Sequence, residues 1–129
     1  MYVDASALVA ILTGEPERAA FLAKIAEAGT CITSAVTVFE VTLALSKLTG
    51  SSASALSDTQ RFLREANIVS VPFDDSQLSE AVLAHDRYGK GRGHPAQLNL
   101  GDCISYACAK NGGVPLLYKG NDFAKTDLA

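Results

Sequence analysis

The chain has few cysteines, no tryptophan, no long uninterrupted apolar run and no large excess of either charge, and each shortage removes a class of protein. Its three cysteines, Cys31, Cys103 and Cys108, make an odd number with no Cys-x-x-Cys pair. Neither a disulfide framework nor a zinc site is indicated, and buried free thiols are expected. The longest uncharged stretch, Ala28 to Phe39, contains Gly29, Ser34 and three threonines, which is too polar and too short to span a bilayer. The apolar opening, Met1 to Leu12, carries Asp4 and no leading basic cluster, which argues against a secretory signal. A soluble, cytoplasmic protein with no membrane association is expected. With 129 residues, 48% of them hydrophobic, and a net charge of -3, the chain is not of the disordered class and fits one domain over residues 1–129.

What charge there is lies unevenly. From Met1 to Asp86 there are 11 acidic and 5 basic residues, whereas Arg87 to Lys125 holds Arg87, Lys90, Arg92, Lys110, Lys119 and Lys125 against only Asp102 and Asp122. Such a basic C-terminal third can meet phosphates locally on an acidic protein, or it can be a solvated surface.

Short apolar runs alternate with helical patterns. Met1-Tyr2-Val3 reads as a strand ending at Asp4, followed by a helix through Leu12. Pro16 suits the first position of a second helix that Gly29 ends, and Cys31-Ile32-Thr33 is a second strand. Ser34 can cap an apolar helix running to Leu48, and the Ser-rich segment from Gly50 opens another through Ala66, unless it is a linker. Ile68 to Val71 is a third strand, and Asp74 or Asp75 caps a helix to about Tyr88. Gly89 to Gln97 is a loop. Asn99 begins a helix to about Lys110, and Val114 to Tyr118 is the last strand. This alternation predicts a three-layer α/β/α fold with a central parallel sheet, in which ligands gather at the carboxyl ends of the strands.

Four acids then stand out. Asp4 directly follows the first strand; it can cap the next helix or present its carboxylate at the sheet edge, with Ser6 assisting either role. Glu40 lies on an apolar helix among Val36, Leu43 and Ala44, where an unpaired carboxylate is costly, so it needs a cation, either Lys47 or a metal ion. Asp102 follows Asn99 at capping-box spacing, yet the poor helix former Gly101 just before it implies close approach by another group. Asp122 follows the last strand and can be a turn residue. Four carboxylates converging on one edge would repel by roughly 3 kcal/mol per pair at about 5 Å and an effective dielectric near 20, so divalent cations are their natural neutralisers. Oxygen-only ligation favours Mg²⁺ or Mn²⁺, which can activate water against a phosphodiester.

The opening Met1 to Leu12, the Phe39-Glu40-Val41 helix, Leu98 to Asp102 with Tyr106-Ala107, and Leu116 to Phe123 together resemble a PIN domain of the VapC toxin type over the whole chain. The resemblance implies a Mg²⁺- or Mn²⁺-dependent ribonuclease acting on RNA. It also implies a homodimer held inactive by a VapB-type antitoxin. The acidic quartet it implies is Asp4, Glu40, Asp102 and Asp122, acting as catalytic and metal-binding residues with Ser6 in support. Tyr88 to Pro95 also resembles that group, with Gly93 as an added residue, and Lys90 and Arg92 are candidate RNA contacts. His94 in this loop reads as exposed rather than catalytic. A phosphate-binding P-loop is excluded by spacing. The competing readings are a catalytically inactive PIN-fold binding module and a phospho-receiver domain, which the late position of Asp74-Asp75 disfavours.

Overall fold

In the computed structural model, which describes residues 1–129, four parallel strands form one sheet in the order β3-β2-β1-β4. These are β1 (Tyr2–Val3), β2 (Cys31–Ser34), β3 (Ile68–Val71) and β4 (Leu116–Leu117). Tyr2 pairs with both Ile32 and Leu116, which makes β1 an interior strand. The helices are α1 (Ala5–Leu12), α2 (Arg18–Ala28), α3 (Ala35–Thr49), α4 (Ser52–Glu65), α5 (Asp75–Tyr88) and α6 (Leu100–Gly112).

Alternation along the strands creates the layers. Val3, Cys31 and Leu117 enter a core with α1 to α4, whereas Tyr2 and Leu116, with Ile32 packed alongside, enter a second core with α5 and α6. This is the three-layer α/β/α arrangement expected from the strand and helix pattern. All three cysteines are buried free thiols, and no helix is long and apolar enough to cross a membrane.

Local chemistry sets the helix starts. Asp4, Ser34, Ser51, Asp74 and Asn99 each cap a helix with a side-chain oxygen. Asp74 and Asn99 head full capping boxes, closed by Gln77 and Asp102. The Ser-rich stretch after Gly50 is thus helix α4 and not a linker. Pro16 differs from expectation. It lies in a turn closed by Arg18 N donating to Glu15 O at 3.0 Å, and α2 starts only at Arg18. Proline's fixed φ suits the second position of such a turn as well as it suits a first helical turn. The last strand is also shorter than its apolar run, because only Leu116 and Leu117 pair with β1.

The strand ends are tied together beneath the acidic edge. Asp4 N donates to Leu117 O at 2.9 Å, and Thr33 Oγ1 donates to Val3 O at 3.0 Å. The buried Tyr2 hydroxyl donates to Ser34 Oγ at 2.9 Å and lies 2.7 Å from Thr37 Oγ1. These satisfied polar groups make the floor of the edge rigid.

A candidate metal and RNA-cleavage site at the carboxyl edge

Asp4 stands at the end of β1, buried to 5% exposure. Its Oδ2 accepts from Ser6 N at 3.0 Å and from Ser6 Oγ at 2.7 Å, and its Oδ1 accepts from Ser105 Oγ at 2.6 Å. The capping role and the edge position are therefore compatible, since Oδ2 serves the helix and Oδ1 faces away from it.

Asp102 shows the same division. Its Oδ2 accepts from Asn99 N at 3.0 Å while its own N–H donates to Asn99 Oδ1 at 2.9 Å. Burial nevertheless pushes its carboxyl up to about 6, with Asp4 and Asp122 adding repulsion against the pull of the Asn99 hydrogen bond.

Glu40 projects from α3 onto the start of α6. Burial, with added repulsion from Asp4 and Asp102, raises its carboxyl to about 7. Oε1 is buried with no hydrogen-bond partner, and no ion pair joins it to Lys47. A carboxylate oxygen in that state is stable only if protonated or matched by a cation. Asp122 is exposed, beyond the end of β4, and acts on Asp102. Asp4 and Asp102 thus both act on Glu40, and Asp4 and Asp122 both act on Asp102.

No three His, Cys, Asp or Glu side chains are already closed to ligating distance of one point. The donor set still fits a hard cation. It is all oxygen, burial with neighbouring carboxylates raises two of its carboxyl pKa values, and it leaves one buried oxygen without a partner. Asp74 caps α5, accepting from Ser76 N at 2.9 Å, and neither it nor Asp75 is among the carboxylates that raise Glu40 or Asp102.

The PIN domain family matches residues 1–128 of the chain. The chain is 41% identical to Ribonuclease VapC of Mycolicibacterium smegmatis over 129 residues, covering 100% of this chain and 98% of that protein. It is 38% identical to a VapC ribonuclease of Rhizobium meliloti, covering 98% of each. With Ribonuclease VapC28 of Mycobacterium tuberculosis it shares 40% identity over 99% of this chain and 95% of the other. The chain belongs to the VapC family of PIN-domain ribonucleases.

Two features of the acidic cluster in this VapC-family chain are unexpected from sequence. Ser105 reaches Asp4 across the fold, and its only signal in the chain is a lone serine three residues past Asp102, within the apolar run of that helix. Ser6 does more than assist Asp4, since its Oγ also accepts from Lys119 N at 2.9 Å and so ties β4's exit to α1.

Gly101 has the explanation its position asked for, because a Cβ there would clash with both carboxylate oxygens of Glu40. Gly101→Ala therefore has to push aside the Glu40 carboxylate, the end of a flexible side chain, and this cost is expected to cancel the roughly 1 kcal/mol that alanine's helix propensity would bring. In a Glu40→Ala background the same change should stabilise by up to about 1 kcal/mol, through helix propensity alone. Urea denaturation of the four proteins in the cycle reads this difference, and equal effects in both backgrounds would refute the contact.

Much of the basic third is internally paired. Lys119 bridges Glu15 at 2.7 Å and Glu17 at 3.3 Å, Lys110 bridges Asp127 at 2.9 Å, and Arg92 bridges Asp86 at 3.3 Å. Arg87, Lys90 and Lys125 make no such pair. Lys90 is exposed and lines a groove with Asn99 and Leu100 at the head of α6. His94 organises its loop, accepting from Ala96 N at 3.0 Å through Nδ1 and setting its ring edge-on to Tyr88.

Proposed function

We propose that Asp4, Glu40, Asp102 and Asp122 hold Mg²⁺ or Mn²⁺ and form the catalytic centre of a toxin endoribonuclease that hydrolyses RNA phosphodiester bonds. The observation that carries this reading is the half-buried Glu40 carboxylate, with one oxygen lacking any partner and its pKa raised by burial and by two further acids. A divalent cation bound there supplies a nucleophile from water at neutral pH and stabilises the charge that develops on phosphate during in-line displacement. Asp4 and Asp102, each with one oxygen anchored by a hydrogen bond to the backbone, are the principal ligands. Glu40 Oε1 binds the ion or orients the attacking water, and Asp122 contributes from the open side. Ser6 positions Asp4.

Lys90, next to the head of α6, draws the RNA backbone towards the acids by phosphate attraction, and Arg92 does so on leaving Asp86. Two apolar grooves offer surface for protein partners, here a VapB-type antitoxin and a second copy of the chain. One of about 750 Å³ lies along α3 and α4 and exposes Phe39 and Leu56. The other, of about 540 Å³, lies between α5 and α6 and exposes Leu78, Val82 and Leu100.

The test is RNA cleavage by the purified protein with Mg²⁺ or Mn²⁺ and with excess EDTA. Activity is expected only with the metal. Cleavage that persists in EDTA would remove the metal mechanism, and RNA binding without cleavage under any metal would favour the inactive binding module.

A further inference from the structure

We propose that Ser105 is a positioning residue, whose hydroxyl fixes the Asp4 carboxylate so that a single oxygen lone pair faces the acidic cluster. The inference rests on the reading of Asp4 as a metal ligand.

An ionised carboxylate offers about four lone-pair sites. At Asp4, Oδ2 accepts two hydrogens, both from Ser6. Oδ1 accepts one, from Ser105 Oγ at 2.6 Å, the short distance typical of an O–H donor on a charged oxygen. One site remains, on Oδ1. Asp4 therefore meets a cation through that oxygen alone, and the Ser105 hydrogen bond sets the direction of the remaining lone pair. Without it the carboxylate would be held only at Oδ2. It could then twist about its last torsion, whose energy profile is broad.

The placement of Ser105 gives this bond its leverage. It is fully buried, so its hydroxyl does not exchange Asp4 for water. It lies one turn beyond Asp102 on the same helix, so α6 carries one acid of the cluster and the clamp on another. Asp4 and Asp102 come from opposite ends of the chain, and through Ser105 their separation is set by one rigid element. The other polar group that the Ser105 hydroxyl approaches is that of Tyr2, which already has Ser34 and Thr37 as partners.

The experiment measures Mn²⁺ affinity by titration calorimetry for wild type, Ser105→Ala, Ser105→Thr and Asp4→Asn, with urea denaturation in EDTA reporting folding. Ser105→Ala should fold and bind Mn²⁺ about 10- to 100-fold more weakly, the range seen when outer partners of metal ligands are removed. Ser105→Thr, which keeps the hydroxyl but adds a methyl group to a buried site, should restore affinity while losing some stability. A packing role predicts the reverse order, with alanine benign and threonine harmful. Wild-type affinity in Ser105→Ala, with Asp4→Asn deficient, would overturn the proposal and leave the metal site standing. Equal weakening in the alanine and threonine variants would overturn it too. Undiminished binding in Asp4→Asn would overturn the metal-ligand reading, and the positioning role with it.

Discussion

Asp4→Asn is expected to lower the rate of RNA cleavage by about 10²- to 10³-fold while the protein remains folded, the scale on which one preorganised charged group at a reacting centre acts. The substitution preserves shape. Oδ1 remains an acceptor for Ser105 if the amide nitrogen takes the place of Oδ2, but the two Ser6 donors then face an NH₂ group that cannot accept them. If instead the amide nitrogen replaces Oδ1, the cap survives, the Ser105 hydroxyl must rotate, and the oxygen facing the cluster is lost. In either orientation the negative charge disappears and one clamp is broken. Asp102→Asn should behave alike in activity, because its Oδ2 is equally tied to Asn99. Single-turnover cleavage at saturating Mn²⁺ separates loss of chemistry from loss of metal binding. Wild-type rates in both variants would exclude these acids from the reaction.

Much of the fold was legible because it depends on short-range signals. Asp4, Ser34, Asp74 and Asn99 cap helices where their residue types and the following apolar periodicity require it. The parallel sheet follows from strands separated by helices, since such strands need crossovers. The sequence also pointed to a close neighbour for Gly101, but it could not say which group that was. Glu40 is 61 positions away and meets Gly101 only because α3 and α6 both begin near one sheet edge.

Ser105 was out of reach for the same reason, because its bond to Asp4 spans 101 positions and no local pattern marks it. The charge count misled in part for a related reason. Lys110, Lys119 and Arg92 are neutralised by Asp127, Glu15, Glu17 and Asp86, and Lys119 and its two acids lie far apart in the chain. Composition counts charges, whereas only tertiary structure pairs them.

In EDTA the protein should be more stable at pH 5 than at pH 8, the reverse of the usual effect of paired carboxylates. Burial, with repulsion from Asp4 and Asp102, raises Glu40 from 4.5 to about 7, and burial with its acidic neighbours raises Asp102 from 3.8 to about 6. Between the ordinary and the raised values the folded state binds more protons than the unfolded state, so stability falls as pH rises through that interval.

Other shifted groups act outside the window. The lowered carboxyls of Asp74 and Asp127 cost stability only in stronger acid, and the raised lysines Lys110 and Lys119 only in strong alkali. The two raised acids share a cluster and titrate together, so their joint effect is about 3 kcal/mol and not a simple sum. At roughly 4 °C per kcal/mol for a chain of this size, Tm should drop by about 12 °C from pH 5 to pH 8.

Glu40→Gln should flatten most of that slope and melt higher than wild type at pH 8 in EDTA, because it removes a charge the folded state holds at a cost. Mg²⁺ at about 100 times its dissociation constant should raise wild-type stability at pH 8 by about 2.7 kcal/mol and the variant's by much less, since the ion stabilises only what it binds. Thermal melts of both proteins across this pH range, with EDTA and with Mg²⁺, give the answer. A wild-type Tm that is flat or rising from pH 5 to pH 8 in EDTA would mean that neither burial nor mutual repulsion raises the carboxyls at this edge, and the case for a cation between them would fall.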